Sequence, residues 1–139
     1  MTSDYANSGR RPTSHERRAG QPWDASYLDG PAPWDIGRPQ LAIVRLAGEG
    51  AFAGAVLDAG CGTGENALHI ASLGLGVLGV DVAQTAVSIA REKAAGRGLD
   101  ADFVVADALH LHGLDRTIAG CSTRSIAMSG ETTWRVWRP

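Results

Sequence analysis

The stretch AVLDAGCGTGENAL, residues 55 to 68, constrains the fold more than any other part of this chain. An apolar run ends at Asp58, passes through Gly60, Gly62 and Gly64, and goes straight into a segment in which Ala67, Leu68, Ile70, Ala71 and Leu73 recur at helical spacing. A strand that turns into a helix over glycines has the geometry of a nucleotide cradle. Glycines permit the tight turn, remove the Cβ that would hold a ligand off the backbone, and are expected to leave helix N-terminal N–H groups free for an anionic group. Two further short apolar runs follow, VLGVDV at 77–82 and DFVVA at 102–106. Between them lies AQTAVSIAREKAAG, with Ala86, Val87, Ala90 and Ala94 along one helical face. The order β-α-β-α-β predicts an α/β fold, a doubly wound parallel sheet with right-handed crossovers.

The acids add chemistry to that frame. Asp81 closes the second run about 20 residues beyond the loop, where a carboxylate accepts hydrogen bonds from both hydroxyls of a ribose. A third run ending near Asp107 completes the context that a glycine-rich loop needs before it reads as a nucleoside site. Dinucleotide enzymes favour the spacing G-x-G-x-x-G, whereas this loop reads G-x-G-x-G behind an acid at Asp58, so NAD is the lesser alternative.

DAGCGTGENAL, GVDVA and FVVADA resemble the first three signature motifs of the class I S-adenosylmethionine-dependent methyltransferases, over residues 55 to 110. The resemblance implies a Rossmann-like fold and S-adenosyl-L-methionine as cofactor. It implies that Gly60, Cys61, Gly62 and Gly64 contact the methionine end, that Asp81 binds the ribose, that Val82 packs on the adenine, and that Asp107 and Ala108 read the adenine edge. Asp58 is implied to orient the loop or to reach the amino group through water. Upstream, WDASYLDG and PWDIGRPQ are similar to the N-terminal region of small-molecule methyltransferases of the thiopurine, thiol/halide and quinone type, in which an aromatic segment folds over the cofactor. That likeness implies a cofactor-covering role for Trp34, with Tyr27 and Asp35 beside it; on the residues alone, Trp23 and Trp34 could equally cover an apolar patch.

The remaining segments divide the chain. Residues 1–20 are polar, lack apolar periodicity and are expected to be a disordered tail. Residues 21–54 are expected to form an N-terminal arm or lid followed by a short helix that stops at Gly48, and 55–112 to form the cofactor-binding half. Residues 113–139 make an atypical C-terminal tail whose stretch IAGCSTRSIAMSGETTWRVWRP, residues 118–139, lacks period 2 or 3.6 where the family would supply a fourth strand resembling FDTVxD. Codons exist for Gly120 to Ser125 whose adjacent frame reads V-F-D-T-V, so a C-terminally truncated or frameshifted gene is expected. The sheet is accordingly expected to be incomplete, with about three core strands and an unpaired edge open to self-association.

Composition narrows the function classes. With 139 residues, 44% apolar and 20% charged, the chain fits one globular domain. Thirteen Lys and Arg against 15 Asp and Glu give a net charge of -2 without a basic stripe, so no nucleic acid partner is expected. Cys61 and Cys121 read as reduced thiols of a cytoplasmic protein, and no stretch approaches the roughly 20 apolar residues that cross a bilayer. His110 and His112 lack a third ligand in the sequence, so no metal is expected. His69 reads as a surface residue, Arg91, Glu92 and Lys93 as a solvated helix face, and Cys61 as a loop residue rather than a nucleophile. The expected activity is methyl transfer to a small molecule through S, O, N or halide, with no catalytic residue assignable; the alternatives are an inactive cofactor-binding remnant and an NAD-binding domain.

Overall fold

The computed structural model describes residues 11–108, 124–129 and 133–137. The three apolar runs form β1 (Val56–Ala59), β2 (Val77–Asp81) and β3 (Asp102–Val105). The segments between them form α3 (Glu65–Ser72) and α4 (Gln84–Arg97), while α1 (Ser14–Ala19) and α2 (Leu41–Gly48) precede the sheet. β1 and β3 each run parallel to β2, with Ala59 opposite Val80 and Asp81 opposite Val105. The C-terminal ends of the strands therefore lie side by side, the crevice where doubly wound sheets bind ligands.

Alternation along the strands builds two apolar layers. Val56, Val77 and Phe103 pack with Leu68 and Ile70 of α3 and with Val87 and Ala90 of α4, and Leu57, Leu78 and Val80 form a separate cluster. A mid-strand glycine weakens a strand unless something else needs the space. At Gly79 that something is the ring of Phe103, since a Cβ there would lie 2.5 Å from its Cδ1.

The expected incomplete α/β sheet with three parallel core strands is present, and two details differ from expectation. The sheet does not end at β1: β4 (Arg124–Ser129) pairs with it in parallel, β5 (Thr133–Trp137) pairs with β4 in antiparallel, and the order is β3-β2-β1-β4-β5. Among the described residues the outer strands are β3 and β5. Ladder pairing satisfies backbone N–H and C=O groups, so a segment without apolar periodicity can serve as a strand when a neighbour presents open backbone.

The expected tail is also ordered over part of its length. Thr13 caps α1 in a reciprocal box with Glu16, and Gly20 closes the helix in a left-handed conformation. Glu16 is fully buried; its Oε2 accepts from the Thr13 N–H at 2.8 Å and its Oε1 from the Trp23 N–H at 2.9 Å, which ties the helix to the arm. The arm itself begins with a 3-10 turn, Trp23–Tyr27. Residues 1–10 lie outside the described residues. No helix among the described residues is long and apolar enough to cross a membrane.

Candidate functional site

The glycine loop is held against β2 through its backbone. Gly60 and Cys61 both donate to the Val80 carbonyl, at 2.7 and 3.0 Å, and Gly64 donates to the Cys61 carbonyl at 3.0 Å. Gly62 donates to Asp81 Oδ2 at 2.8 Å. The N–H groups of those four residues are therefore bonded within the protein. Gly64 stands at φ +86°, and a Cβ on it would meet Ala90 Cβ at 2.9 Å, so both conformation and space call for glycine where α3 starts.

Three acids sit at the strand ends. Asp58 is 2% exposed, and its Oδ2 has no hydrogen-bond partner among the described residues. Burial, and then the charge of Asp81, push its carboxyl up to about 7 against the lowering effect of a backbone hydrogen bond from Ala67. Burial likewise raises Asp81, while backbone N–H groups of Ala83, Gly62 and Val82 pull it down. Asp81 Oδ1 accepts from the Ala83 N–H at 2.9 Å and Oδ2 from Gly62. A carboxylate has about four acceptor sites, so acceptor capacity remains beside these backbone bonds for a ligand hydroxyl. Ala106 donates to the Asp81 carbonyl at 2.9 Å, which brings the half-buried Asp107 and Ala108 to the same end of the sheet, beside Val82.

Burial, with Asp58 and Asp81 adding to it, holds the Cys61 thiol well above its ordinary value. A thiol kept protonated is no nucleophile at neutral pH. Among the described residues no cluster of His, Cys, Asp and Glu could hold a metal ion; His110 and His112 lie outside those residues.

The arm lies across the loop. Tyr27 is buried, and its hydroxyl lies 3.4 Å from where a Cβ of Gly62 would be. It accepts from Trp34 Nε1 at 3.1 Å, and burial pushes its phenol up to about 12, so it stays neutral. Trp34 meets Trp23 and Tyr27 edge-on at 5.5 and 6.2 Å. Three polar tethers reach the core: Asp24 Oδ1 accepts from the Thr85 N–H at 2.6 Å in the first turn of α4, Asp35 Oδ2 accepts from Thr63 Oγ1 at 2.6 Å, and Asn66 Oδ1 accepts from the Gln40 N–H at 2.8 Å.

The structure thus gathers Asp58, Gly60, Cys61, Gly62, Gly64 and Asp81 around one loop, with Val82, Asp107 and Ala108 at neighbouring strand ends. Trp34 contacts Tyr27, and Tyr27 is the aromatic residue standing at Gly62. The helix face read as solvated is partly committed. Arg91 Nε and Nη2 donate to the Phe103 carbonyl at 3.0 and 2.7 Å, and Lys93 Nζ reaches Thr63 Oγ1 at 3.1 Å and Glu65 Oε1 at 2.9 Å. His69 is half-buried rather than fully on the surface. Thr63, Lys93 and Asp24 went unseen because helical periodicity carries no sign of partners 28 to 61 residues away.

Comparison with known proteins places this geometry among relatives. The profile of a methyltransferase domain family matches residues 56–134, running past residue 110 where the motif likeness in the sequence ends. A 2-heptyl-1-hydroxyquinolin-4(1H)-one methyltransferase of Mycobacteroides abscessus is 45% identical over 84 residues, covering 60% of this chain and 37% of the relative. A probable thiol methyltransferase of Arabidopsis thaliana is 38% identical over 72 residues, covering 51% of this chain and 32% of its own. The chain therefore spans about a third of the length of these curated relatives. A solved structure described for the conversion of a disulfide bond into a thioacetal group during echinomycin biosynthesis is 63% identical, with a TM-score of 0.57, over 58% of this chain and 34% of that one.

Proposed function

This chain belongs to the methyltransferase domain family, and on that premise we propose that it binds S-adenosyl-L-methionine at the glycine loop and serves methyl transfer to a small molecule. The observation that carries the reading is the loop's own bonding. A dinucleotide pyrophosphate needs backbone N–H donors, and Gly60, Cys61, Gly62 and Gly64 have given theirs to the protein. A cationic amino-acid end instead needs acceptors, and Asp58 Oδ2 is a buried acceptor without a partner among the described residues. The residues present fit the cofactor. Asp81 would take the ribose hydroxyls, Val82 the adenine face, Asp107 and Ala108 the adenine edge, and Tyr27 with Trp34 would roof the methionine end.

When bound, the cofactor supplies a methyl group already activated on a sulfonium, so the protein's share is positioning and exclusion of water. The buried loop and the arm provide both, and no side chain here is assigned as a base. A sulfur acceptor is the first choice, since relatives are named for a thiol and for a disulfide converted to a thioacetal. Carboxylates rather than cations line the strand ends, which disfavours nucleic acid as acceptor. We place the protein in the cytoplasm, where Cys61 would stay reduced.

The test is calorimetric titration with S-adenosylhomocysteine and, separately, NAD, followed by radiolabelled methyl transfer to thiols, disulfides and hydroxyquinolones. Micromolar binding of the first ligand alone supports the reading, and equal or tighter binding of NAD overturns it. Binding without transfer to any acceptor would leave a cofactor-binding unit and remove the catalytic half of the proposal.

A further inference from the structure

The arm is anchored unevenly. Its first half packs: Tyr27 and Ala32 are buried with Ala83 and Ala86 at the start of α4. Its second half packs less, since among residues 33 to 38 only Asp35 is half-buried, and Trp34 and Ile36 are 40% and 48% exposed. Beneath that half lies a cavity of about 500 Å3, lined by Tyr27, Ile36 and Ile89 and by Asp35, Thr63 and Lys93. Apolar packing of residues 33–38 is limited to the edge-on contacts of Trp34 with Trp23 and Tyr27, and the polar contact of Asp35 is what ties this half to the glycine loop.

That contact is built from four elements. Thr63, in the loop between Gly62 and Gly64 and 5% exposed, donates its hydroxyl to Asp35 Oδ2 at 2.6 Å. Its oxygen accepts from Lys93 Nζ of α4 at 3.1 Å, which fixes the hydroxyl proton toward the arm. Lys93 is itself held at 2.9 Å by Glu65, the first residue of α3, which Arg97 grips with two further bonds at 2.8 and 3.0 Å. Burial pushes the Glu65 carboxyl up, but its bonds to Arg97 and Lys93 outweigh that and hold it below its ordinary value, so it keeps its charge. The second Asp35 oxygen accepts from the Gly37 N–H at 3.0 Å and shapes the turn that carries Trp34.

We infer that Thr63, oriented by Lys93, is the catch that docks residues 33–38 onto the glycine loop, so that seating the arm and closing the cofactor site are one event. Thr63 and Lys93 are positioning residues in this scheme, and the second clause rests on the cofactor reading above. The loop that would hold the methionine end and the arm that would cover it share one hydroxyl. Any displacement of the loop at residues 62–64 is passed directly to Trp34.

Chymotrypsin cleavage after Trp34 and S-adenosylhomocysteine titration test the inference together. Thr63→Val keeps the shape and removes the hydroxyl; it should speed cleavage of the free protein about tenfold, the equivalent of about 1.4 kcal/mol, and weaken the ligand by a similar factor. Thr63→Ser should restore both, which a merely structural role for the γ-methyl would not, and Lys93→Met should fall between. Should Thr63→Val unfold the loop, Asp35→Ala breaks the same bond from the arm side. Unchanged cleavage in the variants overturns the catch; faster cleavage with unchanged affinity overturns the coupling. No ligand binding by the wild type, with cleavage still accelerated, would instead remove the cofactor reading and the coupling with it.

Discussion

The glycine loop and the arm meet at Gly62 and Thr63, yet they are held by opposite means. The loop hangs on backbone hydrogen bonds to β2 and stands on a packed layer in which Val56, Leu68 and Ile70 are at most 1% exposed. The arm beyond Ala32 is held by side-chain oxygens while its aromatic residue stays 40% exposed. Backbone bonding is indifferent to most substitutions and survives as long as the sheet does. Side-chain tethers across a cavity can be broken one at a time without unfolding anything. A rigid floor and a releasable roof suit a site that must admit one charged nucleoside and then shield it from water.

Removing the floor should have the largest effect. Leu68→Ala empties a fully buried position between α3 and the sheet and is expected to lower unfolding free energy by about 2–5 kcal/mol in urea melts, with arm and loop lost together. Gly79→Ala drives a methyl group into the Phe103 ring and should remove about 1–3 kcal/mol, again without sparing the arm. If either variant freed the arm while leaving the global melt unchanged, the floor and roof would not be the distinct units drawn above.

Acidity separates the two regions further. Asp58 lies under the loop with its carboxyl raised in the folded state from 3.8 to about 7. A raised folded value means the protonated form favours folding, so this contribution is present at low pH and is lost as pH climbs from about 4 through about 7. Stability should therefore fall across that window, less steeply in Asp58→Asn, which keeps only the smaller contribution of the same sign from Asp81. Urea melts at pH 5.5 and 8 read the slope; parallel curves for wild type and variant would remove Asp58 as the titrating group. The smallest effect is expected in the roof. Trp34→Ala gives up an indole hydrogen bond and two edge-on ring contacts, about 1 kcal/mol, seen as faster proteolysis of the arm after Tyr27 and not as a shifted melting midpoint.

Much of the floor was legible in the chain because its determinants are local. β1, β2 and β3 are short apolar runs bounded by glycine, α3 and α4 carry a helical face, and Asp58 and Asp81 sit at strand ends that the pattern locates to within a residue or so. Helix α1 was legible but passed over: Thr13-Ser-His-Glu16 has the spacing of a capping box, and no apolar stripe followed to draw attention to it. Strands β4 and β5 were not legible, because what pairs β4 is the open backbone of β1 and not the pattern of its own side chains. The Asp35–Thr63–Lys93 chain was not legible either. It joins residues 28 and 30 positions apart through a hydroxyl, and neither period nor composition encodes such a meeting.

The measurement that bears most directly on the site is the affinity of wild type and Asp81→Ala for S-adenosylhomocysteine, with far-UV circular dichroism as the check on folding. Asp81 accepts from Gly62 of the loop through Oδ2 and from Ala83 through Oδ1, and keeps acceptor capacity for a ribose hydroxyl. Its removal should weaken binding by about 1–3 kcal/mol, roughly 5- to 150-fold, in a protein that keeps its secondary structure. Equal affinity in wild type and variant would contradict a ribose-binding Asp81 and, with it, the cofactor site built around the glycine loop.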